Sequence, residues 1–217
     1  MAVNIEKYHE LVAELSNKSV TLVAVSKTKP IEDILDLYEL GQRNFGENYV
    51  QELVDKQAVL PKDIQWHFIG HLQSNKVKYI VPFVRLIQGV DSSKLLKEIN
   101  KQAVKCERVI DCLLQVHIAQ EETKFGMNEI EIREAIQLIP SLTHIRVTGL
   151  MGMASFTQDE KIIRQEFHFL KQLQNKYFPG GILSMGMSSD FRMAIEEGST
   201  LVRVGSLLFG ARQKMTD

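Results

Sequence analysis

Short runs of β-branched and aliphatic residues alternate along the chain with longer stretches whose apolar positions recur every three or four residues. The opening stretch carries Ile5, Tyr8, Leu11, Val12 and Leu15, which share one helical face. Val20–Ser26 reads VTLVAVS, a continuous apolar run typical of a buried parallel strand. Pro30 suits a helix's first turn, and Ile31, Ile34, Leu35 and Tyr38 continue an apolar face until Gly41 stops it. The same unit then repeats. Strands are predicted at Asn44–Gly46, Gln65–Ile69, Leu86–Gln88, Val109–His117, Ile145–Gly149, Ile182–Ser184 and Leu201–Val204. Helical patterns fall between them at Tyr49–Leu60, Ser74–Tyr79, Ser92–Lys105, Glu129–Ile139, Asp159–Tyr177 and Asp190–Glu197.

Alternating strands and helices imply a parallel sheet with right-handed crossovers. Eight such units behind one extra N-terminal helix point to an α/β fold closed as a (β/α)8 TIM barrel. No Gly-rich G-x-G-x-x-G turn follows the first strand, as an open dinucleotide-binding sheet would require. Neither a linker nor a composition break interrupts the 217 residues, so residues 1–217 are expected to form one barrel domain.

Composition narrows the function classes. With 44% hydrophobic and 24% charged residues the chain is ordinary for a globular protein, and a net charge of -1 offers no electrostatic case for nucleic acid or anionic membrane. No apolar run approaches the roughly 20 residues that span a bilayer. The opening MAVNIEKYHELVAEL lacks a basic flank followed by an apolar core, so a signal peptide is not expected. Two cysteines, Cys106 and Cys112, cannot build a disulfide framework, and a reduced cytoplasmic chain is the simple reading.

In such barrels the chemistry sits at the C-terminal ends of the strands. Lys27 ends the first strand, in AVSKTKP. A lysine stem in an apolar mouth loses hydration, which favours the neutral amine that attacks carbonyls. A free lysine is less than roughly 0.1% neutral at pH 7. Position alone favours a surface lysine that opens the βα loop, a role Lys29, beside Pro30, fits better still, so Lys27 needs independent support.

Two turns at the far end of the chain add to this. After the seventh strand the sequence reads SMGMSSDFR, with Gly186 turning the chain and Ser188, Ser189 and Asp190 opening a helix. After the eighth it reads RVGSLLFG, with Gly205 and Ser206 opening another. Helix starts expose N–H groups, serines add donors, and glycine permits close approach to an anion. Each turn alone reads equally well as a helix cap. Together, after strands seven and eight, they occupy the usual phosphate position of a barrel. Closure sets strand one beside strand eight, so Lys27 faces that cradle across a gap of about 5 Å. An aldehyde-and-phosphate cofactor needs this pairing. Arg203, inside the eighth strand, is either a structural ion pair or a ligand contact. His67 and His71 are four apart, but WHFIGH reads as strand plus turn, so they share no face for a metal.

The segments AVSKTKP, NFGENYVQE, WHFIGHLQSNK, TKFGM, GLMGM, SMGMSSDF and RVGSLLFGAR occur in this order between Val20 and Arg212. In order and spacing they resemble the pyridoxal phosphate homeostasis protein family, of the alanine-racemase N-terminal-domain superfamily. The resemblance implies a fold-type III barrel with pyridoxal 5′-phosphate joined to Lys27 as an imine. It implies phosphate contacts at Ser188, Gly205 and Ser206, the pyridine nitrogen near Arg203, and Asn48 on the ring-hydroxyl side. His71 and Met151 would line the pocket.

The function expected from this is intracellular vitamin B6 homeostasis by a cofactor carrier, without significant catalysis. The alternative is an amino-acid racemase, which needs a proton-transfer group on each face of the bound substrate. The related racemases take one of these from a C-terminal β domain. Only Gln213–Asp217 follow Arg212 here, so no such domain is expected. A Schiff-base aldolase acting through Lys27 is a third, weaker reading. Apo-enzymes that depend on the cofactor are the partners to consider, and a monomer is the simplest assembly.

Overall fold

The computed structural model describes residues 3–210; Met1, Ala2, the last two residues of the RVGSLLFGAR motif and the tail Gln213–Asp217 lie outside the described residues. Eight parallel strands close in sequence order, β1 pairing with β8. They are β1 Thr21–Val25, β2 Asn44–Glu47, β3 Gln65–Phe68, β4 Leu86–Val90, β5 Ile110–Val116, β6 Ile145–Gly152, β7 Ile182–Ser184 and β8 Leu201–Val204. The helices are α1 Ile5–Ser16, α2 Ile31–Glu39, α3 Val50–Val59, α4 Val77–Ile80, α5 Ser93–Lys105, α6 Glu129–Leu138, α7 Glu160–Tyr177, α8 Phe191–Glu196 and α9 Ser206–Phe209. The predicted alternation and barrel are therefore present, with element ends shifted by a few residues at most. Short 3-10 turns at Ser74–Lys76 and Ile139–Ser141 complete the order.

Local chemistry explains several boundaries. Asn4 caps α1 by accepting from the Lys7 N–H, and Asn128 and Glu131 form a reciprocal capping box on α6. Pro30 stands just before α2 as its N-cap. The weakly apolar second strand survives because closure, rather than its own hydrophobicity, holds it: Asn44–Glu47 pair residue for residue with Gln65–Phe68.

Apolar burial divides into two layers. The larger core lies between barrel and helices, and includes Phe45, Phe68, Leu53, Phe167 and Phe209. A smaller cluster of Val23, Leu86, Leu113, Met151 and Leu201 fills the barrel itself. Strand alternation sends neighbouring residues to opposite layers. The register Val23↔Arg203 and Ala24↔Val204 brings the end of β1 against the end of β8, which seats the site described next.

Candidate functional site

At the C-terminal ends of the strands lies a cavity of about 540 Å³, lined by Lys27, Asn48, Ser188, Arg203, Gly205 and Ser206 with apolar walls from Val25, Ile69, Met153 and Leu207. Six of the eight predicted site residues thus meet around one space. His71 and Met151 do not line it. His71 turns outward, where its Nδ1 bonds Asp91 Oδ2 at 2.8 Å and its ring stacks on Phe125 at 3.9 Å. Met151 is wholly buried in the inner layer, and Met153, two residues on, takes the lining position. That offset is one period of a strand, a displacement that motif position cannot resolve.

Lys27 is partly buried and the chain on either side of it is tied down. The Ser26 N–H donates to the Gly46 carbonyl at 3.0 Å. The Ser26 hydroxyl donates to Glu47 Oε1 at 2.7 Å, and Lys56 Nζ donates to the Ser26 carbonyl at 2.7 Å. Beyond Lys27, the Thr28 N–H donates to Glu52 Oε1 at 2.6 Å, with Thr28 at φ 62°. Lys29 also lines the cavity, but its Nζ donates to the Phe209 carbonyl at 2.7 Å and ties α9 to the first loop.

The two serine turns lock together. Gly186 sits at φ 94°, and a Cβ there would lie 2.6 Å from Ala194 Cβ, so only glycine fits. The Gly205 N–H donates to Ser188 Oγ at 3.2 Å, which bridges the turn after β7 to the turn after β8. Neither serine caps the following helix, because Asp190 stands at that position and accepts the Met187 N–H at 2.6 Å.

Arg203 forms the cavity floor and is 3% exposed. It donates to Ser184 Oγ and, at 3.0 Å, to the Gly152 carbonyl. Among the described residues no carboxylate pairs with it directly, so the ion-pair alternative does not hold. Burial pulls its guanidinium down to about 10, partly offset by the nearby Asp190, and it remains a cation at neutral pH. Asn48 contributes an unmet need: among the described residues its buried Oδ1 has no hydrogen-bond partner.

Over residues 3–213 the chain matches the family described as Alanine racemase, N-terminal domain. The pyridoxal phosphate homeostasis protein of Aquifex aeolicus is 42% identical over 200 residues, which is 88% of this chain and 87% of that protein. The chain belongs to the pyridoxal phosphate homeostasis protein family. The homeostasis protein of Escherichia coli is 36% identical over 205 residues, 91% of this chain and 88% of that one. Among solved structures, PipY of Synechococcus elongatus with PLP bound superposes at a TM-score of 0.86 and 34% identity, over 94% of this chain and 99% of its own. Alanine racemase from Bartonella henselae shares the fold at a TM-score of 0.74 and 14% identity, with 93% of this chain matching 56% of that one.

In this homeostasis-family chain the motif NFGENYVQE also holds residues that strand and loop reasoning passed over. Glu47 is wholly buried, and Lys56 Nζ reaches its Oε1 at 2.8 Å and Glu52 Oε1 at 2.6 Å. Burial pushes the Glu47 carboxyl above its usual range, against the pull of Lys56 and Ser26. One signal was available: Glu52 precedes Lys56 by four residues on a helix, the spacing of a favourable pair. Glu47 carried no such mark.

Proposed function

We propose that this chain holds pyridoxal 5′-phosphate covalently through Lys27 and works as a carrier in vitamin B6 homeostasis rather than as an amino-acid enzyme. One observation carries the reading: the amine at the end of β1 and the serine turns after β7 and β8 line the same cavity. The residues fit the group. The cavity lies in the size range of small-molecule sites, its apolar walls suit a flat ring, and Asn48 has a buried acceptor to satisfy. When bound, pyridoxal phosphate supplies an aldehyde for a lysine amine and a ring that accepts electrons.

Lys27 would condense with the aldehyde carbon, the carbonyl oxygen leaving as water, and the ties on Ser26 and Thr28 restrict where its stem can point. Ser188, Ser206 and the N–H groups around Gly205 receive the phosphate. Arg203 would face the pyridine nitrogen, where a donor-only cation would keep that nitrogen unprotonated and weaken the ring as an electron acceptor. This favours holding the cofactor over driving racemisation. The names of the relatives and the PLP-bound PipY structure support the same reading. The proposal extends to one barrel domain over residues 1–217 that acts as a monomer in the cytoplasm and passes the cofactor to apo-enzymes that need it.

The test is borohydride reduction of the yellow protein followed by peptide mapping. The pyridoxyl mass is expected on Lys27; Lys27→Ala loses the absorption band and Lys29→Ala keeps it. A label on another lysine refutes the assignment. Loss of an amino acid's optical purity above about 1 per second would establish the racemase instead.

A further inference from the structure

Below the cavity floor, Arg203, Ser184, Gln88, His67 and Asn44 form one unbroken line across the barrel interior, from β8 to β2. Arg203 Nη1 donates to Ser184 Oγ, and Ser184 Oγ donates to Gln88 Oε1 at 2.6 Å. Gln88 Nε2 lies 3.0 Å from His67 Nδ1, and His67 Nε2 lies 3.0 Å from Asn44 Oδ1. Ser184 and Gln88 are wholly buried, and Arg203 and His67 nearly so.

The direction of every hydrogen follows from the acceptors. Asn44 Oδ1 can only accept, so His67 Nε2 carries the hydrogen. Burial pulls the imidazole down to about 3, with Arg85 adding to the effect, so the ring is neutral and Nδ1 is bare. Nδ1 then accepts from the Gln88 amide, which turns the Gln88 oxygen toward Ser184. The Ser184 hydrogen goes to that oxygen, and its lone pairs face the guanidinium. Every link donates away from Arg203. Bonds aligned in one sense polarise one another, and each presents its negative end to the cation. A carboxylate against the guanidinium would also hold it, but it would cancel the charge offered to the cavity.

We propose that Ser184, Gln88, His67 and Asn44 are a positioning relay that keeps Arg203 charged and aimed at the cofactor's ring nitrogen, so that residues remote from the cavity set that nitrogen's electronic state. The proposal rests on the function given above. Polar groups that were merely satisfied would not need one common direction, and their removal would leave the ring nitrogen unchanged.

Nitrogen-15 NMR of the histidine-labelled wild-type protein tests the direction without any substitution. A neutral His67 with its hydrogen on Nε2 is expected, both with and without pyridoxal phosphate; a hydrogen on Nδ1, or a charged ring, overturns the relay. The remote effect is tested with ring-labelled pyridoxal phosphate. In His67→Phe and Ser184→Ala, borohydride still traps the cofactor on Lys27, while the ring-nitrogen resonance and absorption maximum shift toward those of Arg203→Gln. Ser184→Thr, which keeps the hydroxyl, stays at the wild-type values. Unshifted signals in a folded Ser184→Ala protein overturn the relay, and that variant decides the matter if His67→Phe does not fold. Failure of the wild type to take up the cofactor on Lys27 refutes the functional reading instead, and with it the relay's purpose.

Discussion

Replacing Lys56 with methionine removes one cation from the first loop's support and leaves the volume almost unchanged. Lys56 Nζ donates to the Ser26 carbonyl, Glu47 Oε1 and Glu52 Oε1, so three acceptors each lose a charged donor at once, Glu47 keeping only the Ser26 hydroxyl and Glu52 Oε1 the Thr28 N–H. Glu47 is wholly buried, and among the described residues its Oε2 already has no hydrogen-bond partner. Stripping the partner from a buried charge costs about 3–5 kcal/mol. At roughly 2–4 °C per kcal/mol for a chain of this size, the midpoint of thermal unfolding drops by about 6–20 °C.

The pH dependence carries a sign that identifies the cause. Burial already raises the Glu47 carboxyl in the folded protein, so its contribution to stability is greatest below the ordinary carboxylate range. That contribution is lost as pH rises through the folded value. Without Lys56 the opposing attraction is gone and the folded value climbs further. The deficit of Lys56→Met against wild type should therefore be larger at about pH 7.5 than at about pH 5. Glu47→Gln in the Lys56→Met background should recover at least about half of the loss, because the unpaired charge is gone. Thermal unfolding followed by circular dichroism reads all three proteins. A Lys56→Met midpoint within about 2 °C of wild type, or the same deficit at both pH values, refutes this account of the network. The Ser26 and Thr28 ties also flank Lys27, so borohydride capture at Lys27 should slow in the same variant.

Gly186→Ala forces a side chain into a positive-φ turn and against Ala194 and Phe191, which costs at least about 1–3 kcal/mol; chemical unfolding reads it, and an unchanged midpoint contradicts the geometry. In iodoacetamide labelling of the native protein, the exposed Cys106 should react and Cys112 should not, since burial raises its thiol well above the ordinary range. Equal labelling of both before denaturation would show that β5 opens readily. Glu121 accepts the Phe156 N–H at 2.7 Å, and chiefly that bond, with Lys124 adding to it, holds its carboxyl down at about 2. The stabilisation is present above the ordinary carboxylate range and lost as pH falls through that lower value, so carbon-13 NMR should find Glu121 titrating last among the glutamates; an ordinary midpoint would refute the tie.

The barrel was legible because both of its periods are local. Continuous runs such as Val20–Ser26 and helical faces such as Ile31, Ile34 and Leu35 name their elements without knowledge of any partner. Chain order then sufficed to place Lys27 beside Gly205, since closing eight strands in sequence order makes the first and last neighbours. The same reasoning named Arg203 but left its role open between ion pair and ligand contact, because only packing reveals which groups surround a buried charge.

What tertiary structure alone decided were orientations and pairings between distant strands. His71 follows β3 as its motif implies, yet Asp91 and Phe125 from other loops turn it away from the cavity. Met151 and Met153 differ by a single strand period, and barrel register chooses which of them reaches the site. Glu47 is buried because Lys56 and Ser26 meet it there, while Gln88 and Ser184, 96 residues apart, join a single hydrogen-bonded line. Hydrophobic pattern is a property of neighbours along the chain. A buried polar group is tolerated only through partners that folding supplies, so its place cannot be read until those partners are known.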